Sequence, residues 1–413
     1  MSKNRHRLKL TARTPFSMLE LREVDLFYTA LALFLLIDGG LFVAEGLRFE
    51  KRSRRLKKDH NSKIGIPPTL PKVSVVLAAL NEEEDLPKCL ASLAAQDVEG
   101  LEVILVNDRS TDRSGEIMQS FAGAHPNWKY IEIKELPEGW LGKPHALHQG
   151  SLKTTGEYII FTDADVKFEP PACREMLGIA IQNDFDHLCA GPQFTAQDPI
   201  LKSMLLVFTS SLVRLLKPSR MGLSPHSYIG VGAFNLVRKK SYKELGGHEK
   251  LRLSVLDDIM LSKLFAQAGK NHFFMEGKAF LSLDWYPNAL AMIRGLGKNG
   301  FAAMRYSWIN VFAMLALTLL TYILPYLGLI YATGFAWKFL LTVLVVNTSV
   351  NAYFAYKISY SPLYALAMPL ASLCIAYAHI RSATIASLRG YVSWRETRYT
   401  LKSLRDFSKS SGL

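Results

Sequence analysis

The chain has 413 residues and a formal net charge of +13, and 49% of its residues are hydrophobic. This composition excludes a disordered chain, and a mean hydropathy above zero directs the search to membrane spans. The cysteines stand far apart without a CxxC pair, so they predict neither a zinc site nor a disulfide framework, and a reducing compartment is the default. They are Cys89, Cys173, Cys189 and Cys374.

The N-terminal part predicts a membrane anchor followed by a basic linker. Residues 1–23 form a basic tail, and the apolar block 24–47 is long enough for one span, although Asp38 lies inside it. No small-residue cleavage site follows the block, which favours a signal anchor over a cleaved signal peptide. The basic run in 48–71 predicts the cytoplasmic side of a cell (inner) membrane. Nucleic-acid binding is the competing interpretation, which the adjacent span disfavours.

Residues 72–290 have the pattern of an α/β domain. Short β-branched runs, such as VSVVLAAL at 73–80 and LEVILVND at 101–108, alternate with segments of helical spacing. This alternation predicts a parallel sheet with helices on both faces, and ligands at the carboxyl ends of its strands.

Polar residues follow three of these strands. Asp163 and Asp165 end the run YIIFTDADV. Two like charges repel unless a cation lies nearby, so the pair fits a Mg²⁺ or Mn²⁺ site, with an Asx turn as the structural alternative. Asp108 ends a second strand, where it either caps the next helix or accepts a hydrogen bond from a base or ribose. Asn81 and Glu82 follow the first strand at the same edge, as ligand contacts or as helix-entry residues.

The stretch EGWLGKPHALHQG places a lysine between glycines and a helix. Lys143 fits a contact to a diphosphate or, alternatively, a solvated loop lysine. His145 and His148 lie near one another on the helix, but no carboxylate completes a metal triad, so both are interpreted as non-ligands.

Two adjacent acids open a later helix. Ser254 and Asp257 match a capping box, which would explain Asp257 structurally. Asp258 is either a first-turn acid favoured by the helix dipole or a general base in a cleft.

The C-terminal part is apolar again. Residues 291–308 predict an interfacial amphipathic segment, and residues 309–387 predict about three spans. Earlier in the chain, residues 201–218 fit an interfacial helix and a core helix equally well. The predicted late spans are 309–333, 335–356 and 362–387.

The basic tails conflict with this span count. With a cytoplasmic domain, one span before it and three after it place both the N-terminus and the basic tail 388–413 outside, against the positive-inside rule. Either one apolar block on each side is re-entrant or interfacial, or the basic bias near Arg48 dominates, and the sequence leaves this open.

Six segments in order, over about residues 72–269, resemble family 2 glycosyltransferases of the GT-A fold. They are VSVVLAALNEEEDLPKCLASL, EVILVNDRSTDRS, GWLGKPHAL, YIIFTDADV, GAFNLVRKKSYKELGGHE and LDDIMLSKLFAQAG. GWLGKPHAL with flanking spans is most similar to the membrane enzymes that glycosylate lipids, such as hopanoid-associated, carotenoid and ceramide glycosyltransferases. WRETRY at 394–399 resembles the tail motif of that subgroup.

The resemblance implies a donor site. Ala79, Asn81 and Glu82 would line the nucleoside pocket, Asp108 would face the uracil, and Lys143 would approach the nucleotide diphosphate.

The resemblance also implies a metal and a base. Asp163 and Asp165 would be the DxD pair that binds Mg²⁺ or Mn²⁺, with Asp165 the more direct ligand. Asp258 would be the catalytic base, and Asp257, which replaces the family's usual Glu, would support it.

The implied reaction is inverting, metal-dependent transfer of one sugar from a UDP-sugar to a membrane lipid hydroxyl. Processive members carry QxxRW, whereas this chain has no RW dipeptide and MIRGLGKNGFAAMRYSW occupies that region. A polyprenyl-phosphate sugar synthase, a processive polysaccharide synthase and a membrane scaffold with a vestigial site remain as alternatives. Nucleic acid is not an expected partner.

Overall fold

The computed structural model describes residues 18–61, 70–394 and 397–411. Most of the predicted basic tail at 1–23, part of the linker at 48–71 and the centre of WRETRY lie outside the described residues.

The secondary structure alternates strands and helices through the middle of the chain. The strands are β1 Val73–Ala79, β2 Glu102–Asp108, β3 Trp128–Ile133, β4 Tyr158–Thr162, β5 Val166–Phe168, β6 His187–Gly191, β7 Gln193–Phe194, β8 Asn235–Arg238, β9 His272–Glu276, β10 Leu281–Leu283, β11 Tyr391–Trp394 and β12 Thr397–Thr400. The α-helices are α1 Met18–Asn61, α2 Leu86–Ala94, α3 Ser114–Ala124, α4 Gly142–Leu152, α5 Ala172–Gln182, α6 Pro199–Leu216, α7 Lys239–Glu244, α8 Asp257–Gln267, α9 Ala289–Ala303, α10 Trp308–Thr318, α11 Leu324–Tyr331, α12 Gly334–Lys357, α13 Met368–Arg389 and α14 Leu401–Ser410.

The central sheet has seven strands in the order β3-β2-β1-β4-β8-β6-β9. β1 to β4 run parallel, as the sequence predicts. β8 differs, because it runs antiparallel to both β4 and β6. The chain returns from α6 to the edge where β1, β2 and β4 end, and residues 228–233 line a cavity there. β8 therefore starts at that edge and runs back through the sheet.

Helices cover both faces of the sheet, as predicted. Alternate residues of β1 enter different cores, because successive side chains of a strand point to opposite faces. Val75 and Leu77 pack in the core that also contains buried residues of α2 and α5. Val76 packs on the other face, with residues of α4 and α8.

The N-terminal anchor and the described part of the linker form one continuous helix, α1. The helix therefore extends well beyond the predicted span at 24–47, and the first part of the basic run belongs to the same helix. Its C-terminal part is fixed to the α/β domain, where the Arg52 guanidinium donates to the carbonyl oxygens of Ser219 and Met221.

Five helical stretches in the described residues are long and apolar enough to cross a membrane. The first late stretch contains a π-turn at Leu319–Ile323 between α10 and α11. Pro325 follows it, and because proline has no amide hydrogen the helical hydrogen-bond ladder is interrupted there. The five stretches are Arg22–Leu56, Pro199–Arg220, Trp308–Tyr331, Gly334–Lys357 and Pro362–Arg389.

The C-terminal tail folds back onto the α/β domain. Val392 of β11 and Leu404 of α14 share a buried cluster with Leu141 and Val255 of the domain. The Arg405 guanidinium donates to the carbonyl oxygen of Tyr306. The tail therefore lies against the same edge of the sheet as the polar strand ends.

Candidate active site

A cavity of about 1280 Å³ opens at the carboxyl ends of β1, β2 and β4. It extends from the polar strand ends to apolar residues of α1, α6, α10 and α12. Every predicted site residue except Asn81 lines it. These residues are Ala79, Glu82, Asp108, Lys143, Asp163, Asp165, Asp257 and Asp258.

Lys143 joins carboxylates from two distant parts of the chain. Its Nζ lies 2.6 Å from Asp163 Oδ1, just after β4, and 3.9 Å from Asp257 Oδ1 at the start of α8. Burial alone would lower the pKa of this lysine, but Asp163, Asp257 and Asp258 raise it above its usual value. Lys143 is therefore a charged group at the centre of the site, and its side chain is only 25% exposed, unlike that of a solvated loop lysine.

Asp165 is a half-buried carboxylate with a buried, unsatisfied oxygen. Its Oδ1 has no hydrogen-bond partner among the described residues. Burial first, and then the neighbouring Asp163, raise the pKa of Asp165 to about 7. Buried polar atoms in proteins are nearly always paired, so an oxygen of this kind calls for a further ligand.

The capping box predicted from Ser254 and Asp257 does not form. α8 begins at Asp257, its N-cap is Leu256, and no side chain caps it. The backbone instead turns at Ser254, whose amide donates to the carbonyl oxygen of Leu251, so Ser254 lies too early to reach the helix. The structural explanation for Asp257 is therefore wrong.

Asp257 and Asp258 occupy different environments. Asp257 is 4% exposed, and its Oδ2 lies 3.9 Å from His248 Nε2. Burial, and then Lys143, lower the pKa of His248 to about 3, so the imidazole is neutral and Lys143 is the cation beside Asp257. Asp258 is less buried than Asp257, and its Oδ1 accepts a hydrogen bond from the Ile259 amide at 2.8 Å. Burial raises the pKa of Asp258.

Asp108 does not cap α3. Its carboxylate instead receives two hydrogen bonds from the guanidinium of Arg109, at 2.8 and 3.1 Å. Gly142 lies so close that a Cβ at this position would overlap Asp108 Oδ2. Asp108 is therefore held at the cavity wall by its neighbour and not by the helix.

Asn81 and Glu82 diverge after β1. The Asn81 side-chain oxygen accepts a hydrogen bond from the Thr111 amide at 2.8 Å, which joins the loop after β1 to the loop before α3. This contact favours a role in joining the loops over a role at the entry to α2. Asn81 adopts a left-handed φ of 56°, a conformation that asparagine tolerates better than most residues. Glu82 lines the cavity. Asn81 therefore shapes the wall, and Glu82 is part of it.

The sequence of this domain matches a known family. Residues 74–246 match the family described as "Glycosyl transferase family 2". These residues belong to glycosyl transferase family 2. Together with the sheet described above, this confirms the predicted family and the predicted GT-A class of α/β domain flanked by apolar helices.

Several relatives of this chain are described as glycosyltransferases. A 4,4'-diaponeurosporenoate glycosyltransferase of Staphylococcus haemolyticus is 26% identical over 56% of this chain and 61% of its own length. A protein of the same description from Staphylococcus aureus is 22% identical over 86% of this chain and 92% of its own length. The chain thus spans about three-fifths of the first of these relatives. A mannosyltransferase from Pyrobaculum calidifontis, solved with GDP-Man and Mn²⁺, is 17% identical, with a TM-score of 0.46 over 90% of this chain and 100% of that one.

Two glycines of the family 2 domain are site residues that the sequence analysis did not assign. Gly230 and Gly232 precede β8 and line the cavity. A Cβ at Gly232 would overlap Asp163 Oδ2, and a Cβ at Gly230 would overlap the backbone of Asp258. The family pattern GAFNLVRKKSYKELGGHE starts at Gly232, but only the folded chain brings Gly230 against Asp258 and Gly232 against Asp163.

The substitution Gly232→Ala should lower both activity and stability. The added methyl group must displace the Asp163 carboxylate, and overpacking of this kind costs about 1–3 kcal/mol. We expect sugar transfer to fall at least ~10-fold, since small displacements of catalytic groups have large effects on rate. Gly123→Ala is the matched control, because nothing lies within 4 Å of a Cβ there. Wild-type turnover in Gly232→Ala would show that the added methyl group does not displace the Asp163 carboxylate.

The apolar end of the cavity contains an ion pair. Asp38 of α1 and Arg214 of α6 both line it, and Arg214 Nε lies 3.2 Å from Asp38 Oδ2. The guanidinium also stacks on the ring of Phe42, 3.9 Å from its centre. Both charges lie within candidate spans, where isolated charges are costly. The pair therefore explains how α1 tolerates an acid.

Breaking this pair should destabilise the protein. Arg214→Gln leaves Asp38 without its cation, so we expect a lower melting temperature of the detergent-solubilised protein. We expect less than the ~3–5 kcal/mol of a fully buried pair, because the two side chains are 17% and 30% exposed. The double variant Asp38→Asn, Arg214→Gln should melt above either single variant. Arg220→Gln, at an exposed arginine just beyond α6, is the control. A double variant whose destabilisation equals the sum of the two single losses would show that the pair is uncoupled.

Proposed function

We propose that this chain transfers a single sugar from a nucleotide-diphosphate sugar to a hydroxyl group of a membrane lipid. UDP-hexoses are the first donors to test. One observation carries the proposal. A single continuous cavity is lined by the acids and the lysine of the family 2 domain at one end and by apolar helices at the other. A polar donor and an apolar acceptor therefore meet in one space.

The donor would bind with its charged part at the strand ends. Asp108, at the end of β2, suits a hydrogen bond from the base or ribose. Lys143, one-quarter exposed, suits electrostatic contact with the diphosphate. Ala79 and Glu82 complete the wall between them.

A divalent cation fits the remaining acids. Among the described residues no three His, Cys, Asp or Glu side chains are grouped to hold an ion. Asp163 and Asp165 would therefore supply two carboxylates, and the donor phosphates and water would supply the other oxygens, as is usual for Mg²⁺. The orphaned Asp165 Oδ1 supports this assignment. Bound Mg²⁺ or Mn²⁺ would offset the charge that develops on the departing diphosphate.

Asp258 is assigned as the general base. Its carboxylate accepts the proton of the acceptor hydroxyl while that oxygen attacks C1 of the sugar. The bond from C1 to the diphosphate oxygen breaks, and its electron pair leaves with the nucleotide. One displacement inverts the anomeric configuration. Asp257 lies deeper, between Lys143 and His248, and positions the start of α8.

The test is a transfer assay with membranes that contain the full chain. The membranes receive radiolabelled UDP-glucose, UDP-galactose, UDP-N-acetylglucosamine or GDP-mannose, and the organic-soluble products are separated. We expect label in a lipid that survives mild acid. An acid-labile product would identify a polyprenyl-phosphate acceptor, and label in an insoluble polymer would identify a processive synthase. Absence of product from every donor would contradict the proposal.

A further inference from the structure

The central sheet fixes both ends of α6 on one side of a membrane. β6 and β7 precede this helix, and β8 follows it. β6 and β8 are hydrogen-bonded neighbours in the sheet. A helix that crossed a bilayer once would leave these strands on opposite sides, where they cannot pair. The stretch Pro199–Arg220 therefore does not cross, although its length and composition suffice.

α13 also begins beside the α/β domain. Tyr360, just before it, donates its hydroxyl hydrogen to the carbonyl oxygen of Phe194 at the end of β7. The Ser203 hydroxyl of α6 donates to the carbonyl oxygen of Tyr364. The residues that lead into α13 are thus held next to β7 and α6, on the side of the α/β domain.

α13 ends beside the domain as well. Ser387, near its end, accepts a hydrogen bond from the Trp308 indole at 3.1 Å. β11 follows directly, and its Val392 packs in one cluster with Leu141 and Val255 of the domain. Between its ends the helix packs along α9, where Phe301 donates its amide hydrogen to the Ser382 hydroxyl. A helix with both ends on the domain side does not cross.

α10, α11 and α12 leave the domain and return to it. Their far end is marked by Thr333, whose amide and hydroxyl both donate to Asp25 of α1 at 2.7 Å. α12 returns to the domain side, where Lys357 lies 2.7 Å from Glu50. Lys278, in the loop after β9, donates to the carbonyl oxygen of Lys357.

The length of α1 between its two contacts matches a bilayer. Asp25 marks the far end, and Glu45 marks the near end by accepting from the Ser219 amide. Twenty residues (45 − 25) in one continuous helix rise about 30 Å, the thickness of the hydrocarbon core.

We infer that the described part of the chain crosses the bilayer three times, through α1, the α10–α11 stretch and α12. The helices α6, α9 and α13 form a layer that lies on the membrane surface beneath the domain. The stretch Pro362–Arg389, which ends in α13, carries an exposed apolar stripe at helical spacing, as a surface-lying helix requires. The stripe is Leu363, Leu366, Leu370, Leu373 and Tyr377.

This topology removes half of the charge conflict in the sequence. Two late crossings, rather than three, return the chain to the domain side. The basic C-terminal tail, with Arg398, Lys402 and Arg405, then shares that side with the basic end of α1, as the positive-inside rule favours. The inference requires only that the apolar helices contact a bilayer, so its test does not depend on whether the protein transfers sugar.

Cysteine accessibility in sealed vesicles tests this topology. Single cysteines are introduced into the full chain on a Cys374→Ser background and labelled with a membrane-impermeant maleimide in right-side-out and inverted vesicles. The reporters are Ser361→Cys before α13, Ser393→Cys after it and Tyr331→Cys at the far end. Glu99→Cys, exposed on the domain, marks the domain face, and each variant is first shown to melt like its parent.

We expect Ser361→Cys, Ser393→Cys and Glu99→Cys to label from one face, and Tyr331→Cys from the opposite face. If Ser361→Cys and Ser393→Cys label from opposite faces, α13 crosses and the inference is overturned. If Tyr331→Cys labels with Glu99→Cys, the α10–α11 stretch does not cross and the inference is equally overturned.

Discussion

Asp258→Asn should reduce sugar transfer by about 10³-fold, within the usual contribution of a general base. The amide keeps the shape of the side chain but cannot accept the proton of the acceptor hydroxyl. Nucleotide binding should be unchanged, because the close ion pairs of Lys143 are with Asp163 and Asp257. Initial rates with the labelled donor, together with a titration of UDP, separate the two effects.

Two variants serve as controls for the base. Asp406→Asn changes an exposed acid of α14 and should leave the rate unchanged. Asp257→Asn should lower the rate less than Asp258→Asn, because Asp257 positions the start of α8 and is not the assigned base. Turnover of Asp258→Asn within a few-fold of the wild-type value would rule out Asp258 as the base.

Asp165→Asn should abolish the divalent-dependent part of nucleotide binding. Changes to residues that only orient the metal ligands already cost about 10–100-fold in metal affinity, so loss of a direct carboxylate ligand should exceed about 100-fold. The measurement is a UDP titration with Mn²⁺ and with chelator. In chelator the variant and the wild type should bind UDP equally weakly.

The choice of asparagine separates the metal site from an Asx turn. Asparagine supports an Asx turn as well as aspartate does, so a purely structural Asp165 would tolerate the change. The metal-free melting temperature should not fall, because Asp165 Oδ1 has no hydrogen-bond partner to lose among the described residues. Mn²⁺-dependent binding that survives in Asp165→Asn would refute the metal assignment.

The sequence by itself determined the α/β domain and the residues at its edge. Short apolar runs that end in Asp108 and Asp163 specify buried parallel strands, because only a strand covered on both faces is apolar throughout. Parallel strands place their carboxyl ends together, so the polar residues that follow them converge whatever the details of the loops. The apolar blocks could also be recognised from the sequence, since length and composition suffice to identify helices that are apolar enough to cross a membrane.

Only the tertiary structure decided how these parts are joined. The spacing of Ser254 and Asp257 satisfied a capping box, but a turn at Ser254 moved the helix start, and no local pattern reports that turn. Gly232 acquired its role from Asp163, which is 69 residues earlier in the chain (232 − 163).

The same limit applies to the membrane. Hydropathy measures whether a helix is apolar enough to cross, and α6 and α13 pass that measure. Whether a helix does cross depends on where its two ends are held, and those positions are set by strand pairing and by contacts between distant segments. These long-range contacts exist only in the folded chain, so composition alone cannot distinguish a helix that crosses the bilayer from one that lies upon it.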